Sequence, residues 1–407
     1  MVEASWLLSA EAVRSRAHRV LQIGLEDGLP SFRIDLGRLE DTVDLVLATT
    51  RSAYPTFEIP FHSRWRHFVV GGTDRWATLA DATEWRDEKA RARAELDLAM
   101  VSVLLDAGAG PSWSYRDGVT GERIGRSEGL ALAGLDMFVH GAFSADPGDP
   151  LRVDAEALAR VSIDDLTKGF QVTDDNPLVG VAGRVGLLRR LGAQISAAPG
   201  VFARIDTPRP GGLFDHLAGM ANQGSIAAPK ILSEVLRQLG PIWPSRLTLG
   251  GVPLGDCWHY PWLKCDEPNS DLVPLHKLSQ WLSYSLIEPL QRAGIAVTDV
   301  DGLTGLAEYR NGGLFVDTGV LRFRDPADAA REHDVSSPLV VEWRALTVAL
   351  LDRLADSLRQ RVGLDAISLP LAKILQGGTW SAGRAIARKH RAGGSPPVKV
   401  ISDGTVF

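Results

Sequence analysis

Three side chains with chemistry stand in a row at Glu308-Tyr309-Arg310, inside the stretch GLTGLAEYRNGG that runs from Gly302 to Gly313. A carboxylate there can carry a proton or face a developing positive charge. A guanidinium can hold an anion or fix that carboxylate in place. Leu303, Leu306, Ala307 and Leu314 surround the triplet with apolar residues, so a charge at this point is partly buried and needs a partner. Two partners are open: Arg310 and a lysine from another helix. Asn311, Gly312 and Gly313 follow at once, and these types stop helices. The triplet is therefore expected at a helix C-terminus, where spacing alone slightly favours an incidental charged pair.

Lys277 lies in PLHKLSQWLSYSL, with Leu275, Leu278, Leu282 and Leu286 marking an apolar helix face. Trp281 follows one turn later, on a neighbouring face. Burial would lower the lysine pKa and a nearby carboxylate would raise it again. Taken alone, the ordinary reading is a surface lysine whose stem snorkels along the helix.

The segments HSRWRHF (His62 to Phe68) and GGTDRW (Gly71 to Trp76) are dense in Arg, Trp and His. Arg64, Arg66 and Arg75 have forked donors that suit a phosphate. Trp65 and Trp76 have faces that suit a planar ligand, and a loop stapled by aromatic residues fits the same pattern equally well. GRSEGLA sets Arg126 and Ser127 at a predicted helix N-terminus, where backbone N–H groups attract anions. LQGGTWSAGR repeats the idea, with Gly377-Gly378-Thr379 opening a helix that carries Arg384. GDCWHYPWLKC offers Asp256, Cys257, His259 and Cys265, but the spacing between the cysteines matches no zinc knuckle, so structural cysteines in an aromatic loop are the simpler account. No G-x-S-x-G elbow, Walker loop, H-E-x-x-H or dinucleotide fingerprint is expected.

These residues need a scaffold, and the 407-residue chain supplies helical periodicity almost throughout. The longest apolar-periodic segment runs from Leu79 to Gly110, and Asn176-Pro177 reads as a cap with proline in the first turn. WSYRDGVTGERI reads as a hairpin, while GLFVDTGVLRF and VKVISDGTVF read as short strands. The expected class is mainly α, α+β with small β pieces. One large helical domain, 1–407, is expected, with possible sub-domains 1–205 and 206–407 and a soft boundary at 204–212. Net charge is −6, which excludes a general basic field for nucleic acid and makes any phosphate recognition local. Two cysteines, no cleavable leader pattern and no apolar run near the roughly 20 residues that span a bilayer lead to a cytoplasmic expectation.

The motifs IPFHSRWRHF, RSEGLALAGLDMF, FQVTDDNPLVG, PLHKLSQWLSYSLIEPL, GLTGLAEYRNGGLFVDTGVL, LQGGTWSAGR and the terminal SDGTVF resemble the uracil catabolism protein 4 family along nearly the whole chain. The resemblance implies a pyrimidine-degrading route through phosphoribosylated intermediates, with a partner resembling GTP cyclohydrolase II. Ribosylurea-type compounds lie downstream and urea is released. A more distant likeness joins HKLSQWL and DVDGLTGLAEYRNGGLFVDTGVL to the queuosine salvage glycosidases, which have a helical DNA-glycosylase-like fold and cleave the N-glycosidic bond of a nucleoside 5′-monophosphate. Lys277, followed by Gln280, matches their lysine, and Glu308 stands where they carry aspartate. The side chain is one methylene longer, which suits an altered substrate.

The likeness implies catalytic roles for Glu308 and Lys277 on a ribosylurea-like nucleoside or its 5′-phosphate. Tyr309, Arg310 and Trp281 are expected at the substrate, and Arg64, His67, Arg126 and Arg384 at its phosphate. Neither a cofactor nor a metal is expected. Two other readings stay open: an amidohydrolase or deaminase acting on an opened pyrimidine ring, and a non-catalytic nucleotide-binding protein of the same route.

Overall fold

The structure is a computed structural model and describes residues 3–106, 108–110, 112–243 and 247–401. Helices dominate it, and the strands of the described residues form only two-stranded ladders. The mainly α class is therefore the observed one. Terminal SDGTVF lies outside the described residues.

The chain divides into two compact units that interleave along the sequence. The first draws on Met1–His62, Ser245–Gln280 and Asp299–Ser402, and the second on Ser63–Pro244 and Trp281–Thr298. The stretch 204–212, expected as a soft boundary, falls inside the second unit.

In the first unit the helix Pro338–Val362 is the central element. Its residues from Leu339 to Leu351 are buried on every side, and most of them are apolar. The helices Ala10–Leu25, Leu39–Ala53 and Tyr309–Asp317 pack against it. Ser9 caps the first of these by accepting from the Ala12 N–H at 3.1 Å. Strand Phe32–Ile34 pairs antiparallel with Leu321–Phe323. Charged residues inside the long helix are satisfied locally. Glu342, fully buried, accepts from the N–H groups of Ser31 and Phe32 at 3.2 and 2.7 Å and from the Tyr260 hydroxyl at 2.6 Å.

In the second unit the helix Glu88–Leu104 packs against Arg126–Val139 and Gly212–Met220, and Ala155–Arg160 packs against Val181–Ala197. The expected hairpin forms, with Ser114–Arg116 antiparallel to Arg123–Gly125. Asn176, however, starts no helix. Its side chain donates to the carbonyls of Ser114 and Gln171 at 2.9 and 2.8 Å and accepts from the Ser114 N–H at 2.9 Å. The helix begins only at Val181, after Gly180 at φ 77°. The long segment from Leu79 also breaks in two, because Asp87 caps a new helix by accepting from the Ala90 N–H at 2.7 Å.

Two glycine pairs expected to end or open helices sit inside them. Gly312 and Gly313 belong to the helix Tyr309–Asp317. A Cβ on Gly312 would lie 2.6 Å from the Trp343 ring and 2.8 Å from Thr347 Oγ1, so the glycine admits the central helix at close range. GLFVDTGVLRF is thus half helix and half strand. Gly377 and Gly378 lie in a π-type turn, Leu375–Thr379, that runs into the helix Trp380–His390 without a free N-terminus. A Cβ on Gly378 would lie 2.4 Å from Thr50 Oγ1. Both pairs are packing devices.

Candidate active site

The nominated residues fall into one group in each unit. In the first unit, Glu308 ends an extended segment and is the N-cap of the helix Tyr309–Asp317, at φ −120° and ψ 163°. The expectation of a helix C-terminus is thus reversed, because the glycines that suggested a stop are helical. The carboxylate accepts from the N–H of Arg310 at 2.7 Å on one oxygen and from the N–H of Asn311 at 2.6 Å on the other. It is 7% exposed. Burial pushes its pKa above the ordinary carboxylate value of 4.5, while the Arg310 N–H, the Lys277 ammonium, the Asn311 N–H and the Arg310 charge pull it back down. The net direction is upward. Lys277 thus moderates the acid without restoring an ordinary pKa.

Arg310 holds Glu308 chiefly through its backbone N–H. Its guanidinium donates to the Gly394 carbonyl at 2.8 Å and lies 4.8 Å from the centre of the Tyr309 ring. Asn311, also buried, accepts from the Thr379 hydroxyl at 2.9 Å. Arg384 lies over the Trp380 ring at 5.3 Å, in the body of its helix. The anion-attracting helix opening expected beneath it is therefore absent, since the π-type turn continues the helix. Gly383 lets this helix cross the Glu308 helix, since a Cβ there would meet the Arg310 carbonyl at 2.3 Å.

Lys277 is half-buried at the start of the helix Lys277–Arg292. That start is gripped by Asp256, which accepts from the Lys277 N–H at 3.0 Å and from the Trp258 indole at 2.7 Å. Arg344 meets the same carboxylate through two bonds, at 2.8 and 2.7 Å. Burial would raise the Asp256 pKa, but the Arg344 guanidinium and these donors hold it well below the usual range. Arg344 Nε also donates to the carbonyl of Ala307, the residue before Glu308, at 3.2 Å. One turn into the Lys277 helix, the Gln280 side chain donates to Thr304 Oγ1 at 2.8 Å and accepts from the Thr304 N–H at 3.3 Å.

The second unit holds the other group. Arg64 is fully buried. Its Nε donates to Ser102 Oγ at 2.7 Å and its Nη1 to Asp106 at 2.7 Å. Burial lowers its pKa against the pull of Asp106. The guanidinium carbon lies 5.4 Å from the Trp281 ring centre, and the His67 ring lies 5.4 Å from the same ring. Ser127 and Arg126 stand in the first turn of the helix Arg126–Val139, as expected, and Arg126 takes an unusual φ of 59°. Ser127 donates to Asp106 at 2.5 Å.

Gly125-Arg126-Ser127-Glu128-Gly129 also spells G-x-S-x-G between a strand and a helix. The strained residue is Arg126 rather than the serine, and Gly129 is needed because a Cβ there would meet the Ile124 carbonyl at 2.1 Å. Packing explains the pattern. Arg66 and Arg75, proposed as phosphate forks, bind Glu288 and Asp117, each at 2.7 Å. Trp65 and Trp76 are buried and donate to the Ser285 carbonyl and Glu95. Stacking platforms would have to be exposed.

A cavity of about 650 Å³ in the second unit, lined by Tyr115, Asp136, His140 and Lys168 among others, contains none of the nominated residues. In the first unit Cys257 is buried, with its thiol pKa pushed up chiefly by that burial, and His259 bonds Asp271 at 2.8 Å. Among the described residues no group of three or more His, Cys, Asp or Glu side chains is placed to share a metal ion. No helix among them is long and apolar enough to cross a membrane.

Asp256 and Arg344 went unnoticed in the sequence as partners of this site. Arg344 carried a signal, since a charge within VVEWRALTVALL lies in an otherwise apolar helix and must be paired. Nothing in the spacing pointed from it to Asp256.

A family pattern described as "Protein of unknown function (DUF1688)" matches residues 6–407, and the chain belongs to that family. Among its relatives, "Protein urg3" of Schizosaccharomyces pombe is 41% identical over 413 residues, covering 98% of both chains. "Uracil catabolism protein 4" of Lachancea kluyveri is 36% identical over 440 residues, covering 99% of this chain and 98% of its own.

Proposed function

We propose that this protein acts in uracil catabolism as an N-ribosyl hydrolase, cleaving the bond between ribose and a ureido nitrogen in a ribosylurea-like nucleoside or its 5′-phosphate. The pathway assignment rests on the name of the Lachancea relative and the near-complete coverage. The observation that carries the reaction is the buried Glu308 carboxylate, held by two backbone N–H groups within the electrostatic reach of Lys277.

Breaking a C1′–N bond builds positive charge on the sugar, and a fixed carboxylate beside C1′ stabilises it. Glu308 performs this role in its ionised form and takes a proton from the attacking water. Lys277 gives a proton to the departing nitrogen. Water and the ribosylurea then yield ribose, or ribose 5-phosphate, and urea. Both oxygens of Glu308 are already bonded to N–H groups, so the acid is oriented before substrate arrives. Tyr309 and Arg310 flank it in sequence and are assigned to the sugar, whereas Trp281 is buried like Trp65 and Trp76 and is given no stacking role. Arg384, in the same unit as Glu308, is assigned to the phosphate, and a GTP cyclohydrolase II-like protein to an earlier step of the route.

Purified protein incubated with synthetic ribosylurea and its 5′-phosphate tests this. Release of urea and free sugar in equal amounts supports it. Release of ammonia with the glycosidic bond intact would instead mark a deaminase or amidohydrolase.

A further inference from the structure

Asp256 and Arg344 have no place in the reaction as written, yet their contacts end on Lys277 and on the residue before Glu308. Asp256 takes the Lys277 N–H at 3.0 Å, and Arg344 Nε reaches the Ala307 carbonyl, one peptide before Glu308, at 3.2 Å. The two are joined by paired bonds of 2.7 and 2.8 Å, and Arg344 is 1% exposed. Asp256 also takes its neighbours by backbone, since its carbonyl accepts from the N–H groups of Leu275 and His276 at 2.9 and 3.2 Å. His276, at φ 46°, turns the chain into the Lys277 helix and is itself pinned by a 2.8 Å bond to the Leu7 carbonyl.

From this geometry we infer that the Asp256–Arg344 pair is a positioning device that sets Lys277 against Glu308. The inference rests on the proposed roles of those two residues. A planar guanidinium can face a carboxylate with two donors while a third points along a different direction, and a lysine cannot. Asp256 is equally constrained, because its carboxylate serves Arg344, the Lys277 N–H and the Trp258 indole at once. The Gln280–Thr304 bonds brace the same two segments independently, so loss of one link shifts the pair without releasing it. A buried pair of this kind adds little net stability over an apolar pair of the same volume, which leaves geometry as its main contribution.

Arg344→Lys and Asp256→Asn test it, since each keeps the volume and a polar partner. The first readout is independent of turnover: the titration of the Glu308 carboxyl carbon, followed by 13C NMR and assigned by its absence in Glu308→Gln. Glu308 faces the Lys277 and Arg310 charges, so displacement of Lys277 should move its pKa upward by a measurable amount in Arg344→Lys, which keeps the charge of the pair, while in Asp256→Asn the uncompensated Arg344 charge opposes that rise and turnover is the deciding readout. The second readout is ribosylurea hydrolysis, where kcat should fall about 100-fold, as for a displacement near 1 Å, with KM little changed. The Asp256→Asn/Arg344→Lys double variant should be no worse than the poorer single one. An unmoved Glu308 titration in folded Arg344→Lys overturns the inference. A moved titration with no hydrolysis by the parent protein leaves the positioning role standing and removes the hydrolase reading alone. If the variants do not fold, Asp256→Glu, which keeps the charge and shifts the carboxylate, offers the second arm, and an unmoved titration there has the same contrary meaning.

Discussion

The Lys277 ammonium and the Glu308 carboxylate interact within one compact unit, although one residue opens a helix and the other caps a different one. Both stand at helix starts, and neither backbone is free to drift. The acid is held by two N–H groups of its own helix, the lysine by a carboxylate that a buried arginine also grips.

Glu308→Gln should lower ribosylurea hydrolysis by at least 100-fold, because a neutral amide does not stabilise positive charge on the sugar. One amide oxygen still accepts an N–H, so the midpoint of thermal unfolding should move only a few degrees. Glu308→Ala removes both acceptors and should cost a further ~1 kcal/mol as a lost N-cap. Turnover and melting measured on the same preparations check both expectations.

The pH profile should report the burial of Glu308. Its folded pKa lies above 4.5, so the ionised, active form grows in as pH rises through that raised value. The acid limb of kcat/KM should therefore lie above the range of an exposed glutamate. Lys277 pulls the pKa down, so Lys277→Met, which also lacks the proton donor, should lower kcat/KM and displace the limb to still higher pH. A limb at or below pH 4.5 in the parent protein would contradict the assignment.

Gly312→Ala and Gly383→Ala should each destabilise the protein by about 1–3 kcal/mol through overpacking. Their Cβ atoms would meet the Trp343 ring at 2.6 Å and the Arg310 carbonyl at 2.3 Å. Gly250→Ala serves as the control for a different cause. No heavy atom lies within 4 Å of its Cβ position, and only its φ of 58° opposes the substitution. Chemical denaturation of the three variants separates contact from conformation.

Glu342 should make stability fall with rising pH. Burial raises its folded pKa to about 7, against donors from Tyr260, Phe32 and Ser31. A raised folded pKa stabilises fully below the ordinary carboxyl value and loses that contribution as pH climbs through about 7. Glu342→Gln keeps the shape: the amide oxygen can accept from both N–H groups, and its NH2 can donate to the Tyr260 oxygen. Relative to the parent protein, the variant should gain roughly 3 kcal/mol between pH 4 and pH 8. Unfolding free energies at the two pH values measure it.

The helices were legible because burial leaves a periodic imprint, and Pro338–Val362 or Lys277–Arg292 needs little more than that pattern. Helix ends were less legible. Gly312, Gly313, Gly377 and Gly378 have the composition of a stop, but they are helical because other helices approach them closely, and that approach leaves no local signal. Asn176 likewise has the chemistry of a cap and uses it on a hairpin distant in sequence. Glu308 and Lys277 were chosen by motif, and their shared environment follows from tertiary packing. The Asp256–Arg344 pair was invisible because pairing across 88 positions obeys no spacing rule.

A crystal structure with ribose 5-phosphate bound tests the central claim most directly. The account predicts C1′ within about 3.5 Å of a Glu308 oxygen, with the Lys277 ammonium on the side from which the nitrogen departs. A sugar held elsewhere, with Glu308 facing only its own helix N–H groups, would contradict it.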